Sequence, residues 1–200
     1  MNDIAYWKDK WTHHQLEAPN NFAQRAYERI KSKNLKTLLD VGCGNGRDSL
    51  YFFQKGLQVT AIDFSESGIQ NLKNKEPGIK TLQQNIHDIQ FPKNTFDVIY
   101  AHLSLHYFDD QTTNTIFHAL YAILKEHGLL FVKCKSTNDP LFGKGEMIAE
   151  DMYREGHVRH FFSKEYMKEK LKDFKILQIR KTNSAYHGTQ SSFIEAVAMK

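Results

Sequence analysis

Short apolar runs alternate with amphipathic stretches along the chain, which is the pattern of an α/β domain. Phe22, Ala23, Ala26, Tyr27 and Ile30 recur at helical spacing behind a capping asparagine, Asn20 or Asn21. Residues 37–41 read as a strand, followed by a glycine turn and a helix from Arg47 that stops at Gly56. Residues 58–62 read as the second strand, and Ser65 caps the next helix, which carries Ile69 and Leu72. Third and fourth strands are expected at 78–83 and 96–101, the latter apolar enough for burial on both faces. A long helix starts at Asp109 or Asp110, carries Ile116, Phe117, Leu120, Ile123 and Leu124, and is expected to end at Gly128. The fifth strand is 129–134, and Ser163 caps a last helix with Tyr166, Met167 and Leu171 inward. Two final strands, 175–181 and 192–199, have no helix between them, only a link holding Tyr186, His187 and Gly188. They are therefore expected to pair as an antiparallel hairpin.

Composition narrows the class. A chain of 200 residues suits one compact domain, here 1–200, and 40% hydrophobic content supports a folded core. Net charge is +4, but the basic residues are spread over several segments, so nucleic acid is not the expected partner. The N-terminus is too polar for a secretion signal, and no apolar run is long enough for a membrane span. Cys43 and Cys134 have no metal-type partners nearby and read as free thiols, so a cytoplasmic setting is expected.

The chemistry is concentrated in the turn after the first strand, Asp40-Val41-Gly42-Cys43-Gly44-Asn45-Gly46-Arg47. Alternate glycines allow a tight turn and let a ligand lie against bare backbone at the carboxyl end of a parallel sheet. About 20 residues on, Asp63 ends the second strand, where a carboxylate can accept hydrogen bonds from both ribose hydroxyls. Ile62 and Phe64 flank it and can pack on an adenine face. After the third strand, Asp88 can accept from the adenine amine and the Ile89 amide can donate to the ring. A dinucleotide site requires G-x-G-x-x-G, and its third glycine falls at Arg47, so that fingerprint fails. D-x-G-x-G-x-G fits instead, with Asp40 suited to an ammonium group such as the one S-adenosylmethionine carries.

Asp40 to Gly46, Asp63, Asp88 and Phe96-Asp97-Val98-Ile99-Tyr100 together resemble the ordered motifs of class I S-adenosylmethionine-dependent methyltransferases. The segments 46–52 and 104–108 are similar to the small-molecule members that act in tellurite resistance and on thiopurines. The resemblance implies a Rossmann-like seven-stranded mixed sheet of order 3-2-1-4-5-7-6, its last strand antiparallel, with helices on both faces. It implies S-adenosylmethionine as cofactor, held by Asp40, Gly42, Cys43, Gly44, Gly46, Asp63, Phe64, Asp88, Ile89 and the strand-four end at Ala101, His102 and Leu103. It also implies methyl transfer to an acceptor beside that strand end. No Asp-Pro-Pro-Tyr or Asn-Pro-Pro-Tyr follows the fourth strand, which removes the usual signature of nucleic-acid amino-group methylation.

A small-molecule acceptor is the leading reading. The alternatives are a protein or RNA acceptor, a non-catalytic cofactor-binding partner, and a nicotinamide oxidoreductase, the last weakened by Arg47. His102 is the candidate base, needed only if the acceptor must lose a proton. Two polar segments are expected to cover the acceptor. One is the N-terminal cap and first helix, 1–34, with Tyr6, Trp7, Trp11, His13 and His14; the other is a lid, 135–162, with Tyr153, Arg154, His157, Arg159 and His160 and glycines that can act as hinges at Gly143, Gly145 and Gly156. His106 is expected to border the acceptor or order its loop, and Arg154 to match an anionic group. His157 and His160 lie three apart without a cysteine, and no metal site is expected.

Overall fold

A computed structural model describes residues 7, 11, 18–186 and 189–200. Tyr6, His13, His14, His187 and Gly188 lie outside the described residues. Helix α1 (Asn21–Ile30) is capped by Asn20, whose side chain accepts from the amides of Phe22 and Ala23. Then follow β1 (Thr37–Val41), α2 (Arg47–Gln54), β2 (Gln58–Asp63), α3 (Glu66–Lys75) and β3 (Lys80–Gln83). A 3-10 turn, Ile86–Asp88, precedes β4 (Phe96–His102). The second half holds α4 (Asp110–Ile123), β5 (Leu124–Lys135), β6 (Glu146–Ala149), β7 (Met152–Glu155), β8 (His157–His160), α5 (Lys164–Lys170), β9 (Lys175–Tyr186) and β10 (Thr189–Met199). Ser65, Asp109 and Ser163 cap α3, α4 and α5 through their side chains, as expected from their residue types.

Seven strands form one sheet in the order β3-β2-β1-β4-β5-β10-β9. Without the small strands β6–β8, this is the 3-2-1-4-5-7-6 order. Strands β1 to β5 run parallel, and β10 is antiparallel to both neighbours. Alternation along each strand builds two cores. Leu39, Val41, Ile99, Ala101, Leu130 and Val132 face α4 and α5, whereas Leu38, Val98, Tyr100, Leu129 and Phe131 face α1, α2 and α3. Strand order reverses between β1 and β4, and this opens a crevice beyond their carboxyl ends.

Two expectations change. Helix α4 ends at Ile123, not at Gly128, because Leu124 already pairs with Phe96 at the start of β5. The segment 135–162 is not a plain connection, since β6, β7 and β8 form a second, antiparallel sheet within it. These strands are four residues each, with too few alternations to register as a period. Among the described residues no helix is long and apolar enough to cross a membrane.

The starts of β1 and β4 are clamped by Asp97. Its Oδ2 accepts from the amides of Lys36 and Thr37 and from the Thr37 hydroxyl, and Lys125 donates to Oδ1 at 2.9 Å. Burial pushes this carboxyl up, but those donors outweigh it and bring it down to about 2, against an ordinary 3.8. A pKa lowered on folding contributes stability that is present above about 4 and lost as pH falls toward 2. Asp97→Asn should therefore cost about 2 kcal/mol at pH 7 in denaturant unfolding, shrinking to near zero at pH 2. An equal loss at both pH values would show that the charge does not matter.

Candidate active site

A cavity of about 670 Å³ fills the crevice, a volume suited to a nucleoside-sized ligand with a small molecule beside it. Its floor is the turn from β1 into α2. Gly44 has φ +58°, and the side chain of Trp11 lies so close that a Cβ there would sit 2.6 Å from its ring. Gly68, in the first turn of α3, lets that helix approach the Gly44 carbonyl, which would lie 2.5 Å from a Cβ at 68. Gly42, Cys43 and Gly44 line the cavity. Gly46 does not; it caps α2 at φ +82° and packs against Leu72, so its part is to start the helix.

Asp63 is 7% exposed at the end of β2. Its Oδ2 accepts from the Gly44 amide and its Oδ1 from the Ser65 amide, each at 2.8 Å. Burial raises its carboxyl above the usual range, against the lowering effect of the Ser65 and Gly44 amides. Each oxygen keeps a further acceptor site. Asp40 is 2% exposed and accepts from the Ser49 hydroxyl at 2.5 Å. Burial, opposed by that bond and reinforced by Asp48 and Asp63, pushes its carboxyl up to about 8. Asp48, absent from the sequence expectations, lies on α2 and binds Asn20, Tyr100 and Arg47.

The opposite wall follows β4. His102 is partly exposed, stacks on Tyr100 and lines the cavity. Burial and the positive charges of Lys133 and Arg47 hold its imidazole well below 6.5, hence neutral at pH 7. Leu103 adopts φ +56°, a strained turn that redirects the chain over the crevice, and Ser104 donates to the Val41 carbonyl at 2.5 Å. His106, 1% exposed, is likewise held neutral, by burial first and then by Arg159, Lys135 and His160.

The predicted nucleobase residues divide. Phe64 lines the cavity, with Asn85, Ile86 and His87 beside it, whereas Ile62 is buried in the core. Asp88 does not: its carboxylate is well exposed and lies 3.1 Å from His87 Nε2. Ile89 buries its side chain in the core, and the role expected of it belongs to its backbone amide. The short 3-10 turn at Ile86–Asp88 sets which side chains point inward, and spacing alone did not show it.

Trp7 and Trp11 stack at 6.2 Å, and Trp7 also contacts Tyr107 at 5.5 Å and His157 at 5.6 Å. All four line the cavity, so the N-terminal aromatics and β8 meet across it. Tyr153 and Arg154 do not reach it. Tyr153 packs on Phe142 and Phe161, and Arg154 pairs at 2.9 Å with exposed Glu146. Strand alternation sends Arg159, not Arg154, to the wall beside His157. Period-two reading of His157-Val158-Arg159-His160 would have put Arg159 on the face of His157. Among the described residues no group of three His, Cys, Asp or Glu could hold a metal ion.

Asp40 folds with a pKa of about 8 against an ordinary 3.8, so the folded state binds more protons than the unfolded chain between those values. Stability from this group is full below about 4 and declines as pH rises through 8. Asp40→Asn keeps an acceptor for Ser49 and removes the buried charge. The variant should melt above the unliganded parent, by a margin larger at pH 9 than at pH 6. A margin independent of pH would contradict the burial argument.

Residues 38–128 match the family described as methyltransferase domain. A putative methyltransferase of a Geobacillus strain is 30% identical over 141 residues, covering 67% of this chain and 57% of that protein. The chain spans about half the length of the curated relatives it matches. Among solved structures, Haemophilus influenzae TehB superposes with TM-score 0.71 and 22% identity, over 90% of this chain and 62% of that one. A Burkholderia thailandensis 1,6-didemethyltoxoflavin-N1-methyltransferase, solved with its acceptor and S-adenosylhomocysteine, gives 0.73 and 17% over 99% and 84%. These two likenesses establish the fold, and the family match agrees with the glycine turn and its buried acids. Residues 38–128 are thus similar to a methyltransferase domain, and the fold around them is the one shared by S-adenosylmethionine-dependent methyltransferases of known structure.

Proposed function

We propose that this protein transfers the methyl group of S-adenosylmethionine to a small-molecule acceptor by in-line displacement. One observation carries the reading: Asp40 is a buried carboxylate on the cavity wall, and its one hydrogen bond among the described residues is to neutral Ser49. A carboxyl so placed ionises readily only beside a cation, and the ammonium group of the cofactor's methionine end is one. Asp63 retains acceptor sites for ribose hydroxyls, and Phe64 and Ile86 border the space for the base. The backbone at His102 and Leu103 borders the methionine end.

When bound, the cofactor supplies a methyl on a sulfonium, which leaves as a neutral thioether. The chain's own part is then to align the acceptor and exclude water. Trp7, Tyr107 and His157 do the latter by joining the two walls, which supports a small acceptor over a polypeptide or nucleic acid. His102, neutral at the strand end, takes a proton only where the acceptor must lose one. The segment 135–162 closes over the acceptor as a lid through its inward residues. Cys43 and Cys134 are free thiols, which supports a cytoplasmic setting.

Titration calorimetry should show binding of S-adenosylmethionine and S-adenosylhomocysteine and none of NAD. Tight NAD binding without a response to the other two would end the reading. Asp63→Asn should weaken cofactor binding about 10- to 100-fold, since charge-assisted bonds are worth roughly 1.5–3 kcal/mol. Incubation with methyl-labelled cofactor should place label in small-molecule pools, and label confined to protein or RNA would replace the acceptor class.

Binding should also depend on pH. Asp40 is neutral below about 8 in the free protein, and an ammonium beside it favours the carboxylate, so binding releases a proton. Affinity for S-adenosylhomocysteine should rise from pH 6 to 8 and level off where the ligand amine loses its own proton. Asp40→Asn should flatten this rise. A parallel rise in both proteins would remove Asp40 from the ammonium site.

A further inference from the structure

The far end of the cavity, away from the glycine turn, has a different chemistry. Lys135 and Asp139 are both buried there and pair at 2.9 Å, with Lys135 also donating to Ser191. That pair is internally neutral. Arg159 is not balanced in this way. Its Nη1 donates to the carbonyls of Glu155 at 2.9 Å and His157 at 3.5 Å, and no carboxylate among the described residues pairs with it. Two backbone carbonyls thus hold a guanidinium on the cavity wall without neutralising it.

A second observation points to the same place. His106 lines the cavity at 1% exposure, and its Nδ1 is buried with no hydrogen-bond partner. Buried polar atoms without partners are rare and call for an explanation. The His160 amide donates to the His106 carbonyl at 3.0 Å, which fastens β8 to the turn after β4. That bond holds the Arg159 strand against the His106 turn. After burial, Arg159 has the largest effect of any charge in keeping the His106 imidazole neutral.

We propose that the methyl acceptor carries a carboxylate, held at this end by the Arg159 guanidinium and the His106 imidazole. The inference rests on the methyl-transfer reading above. A carboxylate supplies the charge that Arg159 lacks and a hydrogen-bond partner for an imidazole that has none at Nδ1. One guanidinium with one neutral donor matches a monoanion better than a phosphate dianion. The acid cluster of Asp40, Asp48 and Asp63 lies around the glycine turn, so the cavity is acidic where the cofactor's ammonium belongs and basic where the acceptor belongs. An anionic acceptor is thereby oriented before any chemistry occurs.

The test uses the full chain saturated with S-adenosylhomocysteine. Matched acids and amides, benzoate with benzamide and succinate with succinamide, are titrated by calorimetry alongside inorganic phosphate. Acids should bind at least about tenfold more tightly than their amides. Arg159→Gln should abolish that preference while S-adenosylhomocysteine affinity stays as in the parent. Arg154→Gln, one strand position from Tyr153, the partner of Arg159, and facing away, should keep the preference. His106→Phe should reduce it with the fold intact by melting temperature. Equal or absent binding of acids and amides, with S-adenosylhomocysteine still bound, overturns the carboxylate and leaves methyl transfer standing. Arg159-dependent binding of phosphate alone also overturns it. Failure to bind S-adenosylhomocysteine at all instead brings down the methyl-transfer reading.

Discussion

The two oxygens of Asp63 each take a backbone amide proton, one from Gly44 and one from Ser65. This carboxylate ties the turn after β1 to the end of β2 and to the start of α3. The geometry of the crevice depends on that tie. It sets the Gly44 backbone against Gly68 of α3, and the glycine at 68 is what allows the two to approach. Burial disfavours the charge on Asp63, and the amide donors offset only part of that cost. The remainder is expected to be met by ligand hydroxyls, so the residue that shapes the turn is also the one left short of partners.

Asp40 extends the same logic. It sits on the face of β1 that meets α2, with Ser49 as its hydrogen-bond donor. Tyr100, one strand over on β4, donates to Asp48 at 3.0 Å, and Asn20 joins that group while capping α1. Three elements of the α1-side core therefore converge on two buried acids. A core built for stability alone would place apolar side chains there. The strain at Leu103 and the unpaired Nδ1 of His106 lie on the facing wall. Departures from ideal packing thus gather around one cavity, as expected where binding, not folding, selects the residues.

The two ends of the cavity have opposite character because they come from different parts of the chain. The acidic end belongs to β1, β2 and their helices, which the parallel sheet fixes in place. The basic end comes from β8 and the turn after β4, joined through His160, whose amide donates to the His106 carbonyl and whose Nδ1 lies 3.2 Å from the Phe108 carbonyl. The first is embedded in the main cores. The second is attached to a small three-stranded sheet with exposed apolar side chains at Met147 and Ile148.

The sequence by itself determined the alternation of strands and helices, the helix caps at Ser65 and Ser163, and the glycine turn with Asp40 and Asp63. These are local matters. A cap depends on the amides a few residues on, and a buried strand shows in its own apolar run. The strand order was legible only through family resemblance, since pairing is a long-range property. What the sequence did not determine was which neighbouring side chain faces the cavity. Asp88, Tyr153 and Arg154 were expected there and do not line it, whereas Asp48 and Ser104 do, and Arg159 does in place of Arg154. In a strand or a 3-10 turn, a shift of one residue moves a side chain to the opposite face. That register is fixed by the pairing of β7 with β8 and by contacts between distant segments, so only the tertiary structure could decide it.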